Sequence, residues 1–110
     1  MTVSSIAEKL GFSVMSHGSN LSEVSHVFCC DVLSICLSQL KPNDIWVTVS
    51  GGLNAVAAAY AAGVSCIVLA CGIPPLDDSV LLSAEEHGIW ILGSEKNIFD
   101  TALSVYKLIN

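Results

Sequence analysis

Ile45-Trp46-Val47-Thr48-Val49-Ser50-Gly51-Gly52-Leu53-Asn54-Ala55-Val56-Ala57-Ala58-Ala59-Tyr60-Ala61-Ala62-Gly63-Val64-Ser65-Cys66-Ile67-Val68-Leu69-Ala70 is the stretch on which the fold turns. Its first five residues are β-formers without a clean apolar/polar alternation, as expected of a strand covered on both faces. Ser50-Gly51-Gly52 breaks that run, Leu53–Ala62 reads as a helix, and Gly63 is placed to end it. Residues 66–70 read as a second buried strand. Strand, helix and strand in so short a span predict a parallel pair joined by a right-handed crossover. No charged side chain and no histidine lies between Ile45 and Leu76, a stretch longer than the roughly 20 residues a membrane helix needs. Glycine and serine interrupt it, however, Pro74-Pro75 closes it, and its middle is alanine-rich rather than leucine-rich. Two buried strands around a buried helix account for it, and no membrane insertion is expected.

The rhythm continues outward. Asp77 or Asp78 can cap a helix over 79–87 stopped by Gly88, residues 89–92 form a third strand, and Asn97 can cap a last helix. That helix gathers Ile98, Phe99, Ala102, Leu103, Tyr106 and Ile109 on one side. Towards the amino end, Ser5 to Glu8 fits a capping box and Gly11 a stop, giving a helix near 4–10. Residues 12–15 and 24–29 are short β-prone runs separated by the turn His17-Gly18-Ser19-Asn20. From Asp31, placed to cap, the positions Val32, Leu33, Cys36, Leu37 and Leu40 follow helical spacing until Pro42. The expected fold is therefore a single α/β domain over 1–110, layered as helices on both faces of a mainly parallel sheet. Its strands lie near 45–50, 65–71 and 89–93, with two short N-terminal strands added.

Composition narrows the function. The 110 residues carry ten acidic and four basic side chains, all four of them lysine, for a formal charge of −6. Apolar residues make up 53%, above the roughly 45–50% of ordinary domains, so a real core is available. Lys9, Lys41, Lys96 and Lys107 are scattered, which speaks against nucleic acid and anionic membrane surfaces. Cys29, Cys30, Cys36, Cys66 and Cys71 are odd in number, sit in apolar runs, and no signal peptide opens the chain, so a reduced, cytoplasmic protein with cysteines acting as small buried hydrophobes is expected. His26, Cys29 and Cys30 come nearest to a metal-ligand pattern but lack paired spacing. No metal and no cofactor are expected.

In an open α/β sheet, ligands lie beyond the carboxyl ends of the strands. The candidate ligand-binding residues there are Ser50, Gly51, Gly52 and Asn54 after the first parallel strand, Gly72 after the second and Ser94 after the third. Glycines leading into a helix suit an anion, because they admit close backbone approach and the helix start offers free N–H groups; a P-loop pattern is missing, and a plain tight turn is the alternative reading. No catalytic residues are assigned. Gly-x-Ser-x-Gly is absent, and His17, His26 and His87 have no companion motif. His87 is expected at a helix end beside Gly88, His26 as a hydrogen-bonded strand residue, and Glu85-Glu86 on a solvated face. The Leu53–Ala62 helix has polar groups only on Asn54 and Tyr60, so both of its sides need cover. One side can lie on the sheet, and the other meets either a neighbouring helix of the same chain or a second subunit; a homodimer contact through Ala55, Ala58, Ala61 and Ala62 is the favoured reading, alanines allowing two backbones to approach.

Cys30-Asp31-Val32-Leu33-Ser34, Asn43-Asp44-Ile45-Trp46-Val47-Thr48-Val49 and Leu53-Asn54-Ala55-Val56-Ala57 resemble, in that order, the DRTGG domain family, including its small stand-alone members. Gly72-Ile73-Pro74-Pro75, Gly88-Ile89-Trp90-Ile91-Leu92 and the run from Phe99 through Tyr106 to Leu108 are similar to its closing pattern, so the likeness spans nearly the whole chain. The resemblance implies an α/β domain similar to the N-terminal domain of HPr kinase/phosphorylase, and a regulatory or dimerising role without established catalytic residues. Two places depart from the family pattern. Glu23-Val24-Ser25-His26-Val27 stands where the naming motif is expected, and Ser50-Gly51-Gly52 where many members carry a polar or histidine-bearing turn. The functional expectation is a non-catalytic regulatory or interaction module that homodimerises or meets a protein partner. A sensor for a nucleotide or other small anionic metabolite at the strand ends is the alternative, and a small Cys/His enzyme is less favoured.

Overall fold

Ten elements follow one another in the computed structural model, which describes residues 1–110: α1 (Val3–Leu10), β1 (Ser13–Ser16), β2 (His26–Cys29), α2 (Leu33–Gln39), β3 (Asp44–Thr48), α3 (Leu53–Ala62), β4 (Cys66–Leu69), α4 (Asp78–Glu86), β5 (Trp90–Gly93) and α5 (Ile98–Ile109). The strands form one sheet in the order β1-β5-β4-β3-β2. From β2 to β5 every neighbour is parallel and in steady register, Ile45 beside Cys66 and Cys66 beside Trp90. The two N-terminal strands, whose joining the sequence leaves open, take the two edges. β2 is parallel to β3, whereas β1 runs antiparallel to β5 with an irregularity between Val14 and Ser16.

Because successive parallel strands advance in one direction, right-handed crossovers put α2, α3 and α4 on the same face. Pleating then divides the strand side chains. Trp46, Ile67, Leu69 and Ile91 pack with Cys36, Ala55, Val56, Ala59, Val80 and Ala84 under those three helices. Ile45, Val47, Cys66, Val68, Trp90 and Leu92 pack with Val3, Ile6 and Val105 of α1 and α5 on the other face. Every residue of β3, β4 and β5 is buried, which is why these strands read as unbroken apolar runs.

Caps explain most boundaries. Asp77 and Asn97 accept the N–H groups of Ser79 and Asp100, and Gly11 and Gly63 end α1 and α3, as the sequence predicts. Two expectations need correction. Thr2, not Ser5, caps α1: its Oγ1 accepts the Ser5 N–H at 3.2 Å, so Ser5 lies inside the helix. Asp31 does not cap α2, which starts from Val32 without a side-chain cap.

Candidate functional site

Four parallel strands end on one edge of the sheet, so the turns that follow them share a rim. Asp31, beyond β2, is turned along that rim to β3. Its Oδ1 accepts the Thr48 hydroxyl at 2.6 Å and the Val49 N–H at 3.0 Å. The Thr48 Oγ1 in turn accepts the Ser50 N–H at 3.1 Å. One carboxylate thereby fixes the approach to Ser50-Gly51-Gly52.

Main-chain bonds carry the rim onward. The Leu76 N–H donates to the Gly51 carbonyl at 2.8 Å. A Cβ on Gly51 would lie 3.0 Å from the Pro74 carbonyl oxygen, so a larger residue fits here only if the Pro74 backbone gives way. Past β4, the Ile73 N–H closes a turn on the Ala70 carbonyl at 3.1 Å, and Cys71 and Gly72 both have positive φ, 60° and 66°. The Cys71 N–H donates to the Lys96 carbonyl at 2.7 Å and the Gly72 N–H to the Ser94 carbonyl at 2.8 Å.

The sequence-predicted ligand residues fall into two groups. Ser50, Gly51, Gly52 and Asn54 gather at the start of α3, with Asn54 exposed. Gly72 and Ser94 are joined to each other, but Ser94 is buried, with its hydroxyl 2.8 Å from that of Thr101 and accepting the Lys96 N–H at 3.2 Å. Both frame the rim rather than present donors to it. At the start of α3, Gly52 holds the capping position with no side-chain cap, and no acidic residue occupies the first turn. The amides of Leu53 and Asn54 have no partner in the chain. A Cβ on Gly52 would meet nothing within 4 Å, so open space faces this helix end. Beneath the turn lies only a narrow void lined by Ala55, Val56, Ile67, Leu69, Val80 and Ile91.

A cleft of about 550 Å³ at the opposite end was not foreseen from sequence; His26, Val27, Phe28, Ser38, Gln39, Lys41 and Asp44 line it. There the Asp44 carboxylate accepts the Lys41 N–H at 2.9 Å and lies 3.8 Å from His26 Nδ1. Glu23-Val24-Ser25-His26-Val27 leads into this end, with Glu23 2.9 Å from the amino group of Met1. The two sequence departures therefore sit at opposite ends of the sheet.

The histidines are apart and separately engaged. His17 packs against Trp90 at 4.0 Å between ring centres with the rings tilted by 41°, and His87 bonds the Ser83 carbonyl at 2.7 Å and meets Tyr60 edge-on at 4.5 Å. No three His, Cys, Asp or Glu side chains come together as a metal site would need. Nor do the cysteines share one environment: Cys36 and Cys66 are buried, Cys30 is half-buried, and Cys29 and Cys71 are exposed, which corrects the expectation that all are core hydrophobes. Burial pushes the Cys66 thiol up, and burial with the Cys30 hydrogen bond raises Cys36 to about 11. On α3, Ala55 and Ala58 lie in the chain's own core, Ala62 is half-buried, and Leu53, Ala57, Tyr60 and Ala61 are exposed.

No helix is long and apolar enough to cross a membrane. No curated protein matches the sequence significantly. Among solved structures, the CBS and DRTGG domains of the regulatory region of Clostridium perfringens pyrophosphatase, in complex with the activator diadenosine tetraphosphate, share the fold with a TM-score of 0.75 at 13% identity. The likeness covers 94% of this chain and 45% of that one, so the chain spans less than half of that neighbour. The family model of the DRTGG domain matches residues 5–108. With nearly its whole length accounted for by that model, the chain belongs to the DRTGG domain family.

Proposed function

We propose that residues 1–110 form one non-catalytic regulatory module that binds a small anionic metabolite of the nucleotide class at the turn of Ser50, Gly51, Gly52 and Asn54, and that it works as a homodimer in the cytoplasm. The observation that carries the ligand reading is the start of α3. Two partnerless amides, an uncapped glycine and a first turn free of carboxylates leave the positive end of the helix dipole unanswered. Phosphate oxygens are the natural complement of such an end. The nucleotide activator of the Clostridium perfringens regulatory region supports that class of ligand. The three histidines border three different recesses, so no two of them act on one substrate, which favours binding over a reaction, and five free thiols fit a reducing compartment.

Thermal melts with a nucleotide panel that includes diadenosine tetraphosphate test the ligand reading. A ligand present at about a hundredfold its Kd stabilises by about 2.7 kcal/mol, a readily visible upward shift. Absence of any shift at millimolar concentrations overturns it.

A second observation favours self-association. The exposed side of α3 presents Leu53, Ala57, Tyr60 and Ala61, and no charge lies on α2 or α3. In a chain of formal charge −6, an uncharged face is where two copies meet with least repulsion. Light scattering of the wild type is expected to give a dimer, and Ala61→Glu a monomer. A wild type that stays monomeric at high micromolar concentration refutes this part alone.

A further inference from the structure

The end of β2 and the first turns of α2 place two cysteines near each other on the helix side of the sheet. β2 sends alternate side chains to the two cores, Val27 to the face of α1 and α5 and Phe28 to the face of α2. Cys29 and Cys30 therefore part company. Cys30 packs against the core under α2, where Cys36 is fully buried. The Cys36 thiol donates to the Cys30 carbonyl at 3.5 Å and the Cys30 thiol to the Val32 carbonyl at 3.7 Å, so the Cys36 sulfur lies against the Cys30 backbone. Trp46 Nε1 donates to the same Cys30 carbonyl at 2.9 Å, which holds the backbone from which both contacts are made.

We propose that Cys30 and Cys36 form a hydroperoxide-responsive dithiol that closes to an intramolecular disulfide. Cys30 is half-exposed and so is the sulfur that peroxide reaches; Cys36 is buried and need only reach Cys30. The Cys30 thiolate attacks a peroxide oxygen, the O–O bond breaks, and a sulfenic acid forms as hydroxide, or alkoxide from an organic peroxide, leaves and takes a proton. Cys36 then attacks the Cys30 sulfur. The S–O bond breaks, the departing hydroxide takes the Cys36 proton, and water leaves with the S–S bond made. In sum, two thiols lose two electrons and two protons, and hydrogen peroxide is reduced to two waters. The ring so formed contains Asp31, the residue that clamps Thr48 and Val49. This dithiol does not depend on the ligand reading.

The test is peptide mapping of the full chain after treatment with hydrogen peroxide and quenching with an alkylating reagent. Chymotrypsin cuts after Leu33, between the two cysteines, so the disulfide appears as two joined peptides, lighter by two hydrogens and separated by dithiothreitol. Cys29→Ser is expected to keep the cross-link, and Cys30→Ser to abolish it. Cys36 that stays fully alkylatable while Cys30 goes on to sulfinic acid overturns the proposal, and so does a cross-link that uses Cys29 or Cys71 instead. Because the wild-type map decides, instability of a Cys36 variant does not shield the proposal.

Discussion

Gly52→Asp separates the electrostatics of the α3 start from the integrity of the fold. Gly52 has extended backbone, φ −100° and ψ 174°, the conformation a capping residue adopts, and a Cβ there meets no atom within 4 Å. The aspartate can therefore do for α3 what Asp77 does for α4, where bonds from Ser79 hold the capping carboxyl below its ordinary range. Replacing a glycine cap gains a few tenths of a kcal/mol, and the charge on the helix dipole adds about 0.3–1, so about 0.5–1 kcal/mol is expected. For a domain of this size that is a rise in Tm of about 2–4 °C. A capping carboxyl has a lowered folded-state pKa, so the gain is present above its unfolded value near 4 and disappears as pH falls through the folded value. The same charge stands where the anionic ligand is proposed, so any nucleotide-induced shift should vanish in this variant. Stability up and binding down cannot both come from misfolding. A Tm unchanged or lowered at neutral pH would show that the helix start is already satisfied, and the reasoning fails with it.

Three further outcomes are expected. Asp31→Ala removes the acceptor of the buried Thr48 hydroxyl and of the Val49 N–H and should cost about 1–3 kcal/mol in urea denaturation, while Asp31→Asn, which keeps an acceptor oxygen, should cost less; equal losses would point to charge instead. Cys36 and Cys66 have raised thiol pKa values when folded, so their contribution is complete below the ordinary value of 9.0 and declines above it, through about 11 for Cys36. Cys29 is raised as well by burial, and stability should fall by about 1.4 kcal/mol per pH unit for each thiol in its window, so Cys66→Ala should make the decline shallower in equilibrium melts. Cys71 occupies a left-handed position beside Gly72, so Cys71→Asn should stabilise by about 0.5–1 kcal/mol; a loss would mean that the side chain makes contacts worth more than the strain.

Local chemistry was legible and pairing was not. The bounds of α3 followed from Gly52, Gly63 and the alanines between them, and the caps at Asp77 and Asn97 from residues adjacent to their helices, because these signals act over a few positions. Asp31 misled for the same reason: it stands next to α2, yet its partner Thr48 is seventeen residues away on another strand. Edge placement of β1 and β2 depends on register with distant strands, which four-residue runs do not encode. The α3 alanines carried too little polarity to say which side faces the sheet, so Ala55 and Ala58 could not be told apart from Ala61. Cysteine burial likewise depends on the face that each strand position receives, as the parting of Cys29 and Cys30 shows. At the rim, the glycine turn was legible, whereas the commitment of the Ser94 hydroxyl to Thr101 was not.

Apart from the Asp31 side-chain clamp on Thr48 and Val49, the bonds that tie one rim turn to the next, Leu76 to Gly51, Cys71 to Lys96 and Gly72 to Ser94, are main-chain to main-chain. The frame of the rim is thus written in atoms that every residue except proline supplies. Exposed side chains such as Asn54 and Ile73 can be exchanged without loosening that frame, so chemistry at this edge is free to change while geometry stays. Asp31, Gly51 and Gly72 are the exceptions: the Asp31 side chain is itself one of the ties, a Cβ on Gly51 would press on the Pro74 carbonyl oxygen at 3.0 Å, and Gly72 holds a positive φ of 66°. A rim of this kind keeps its outline while its exposed chemistry varies, so the ligand class proposed for it can be changed by one or two substitutions without rebuilding the fold.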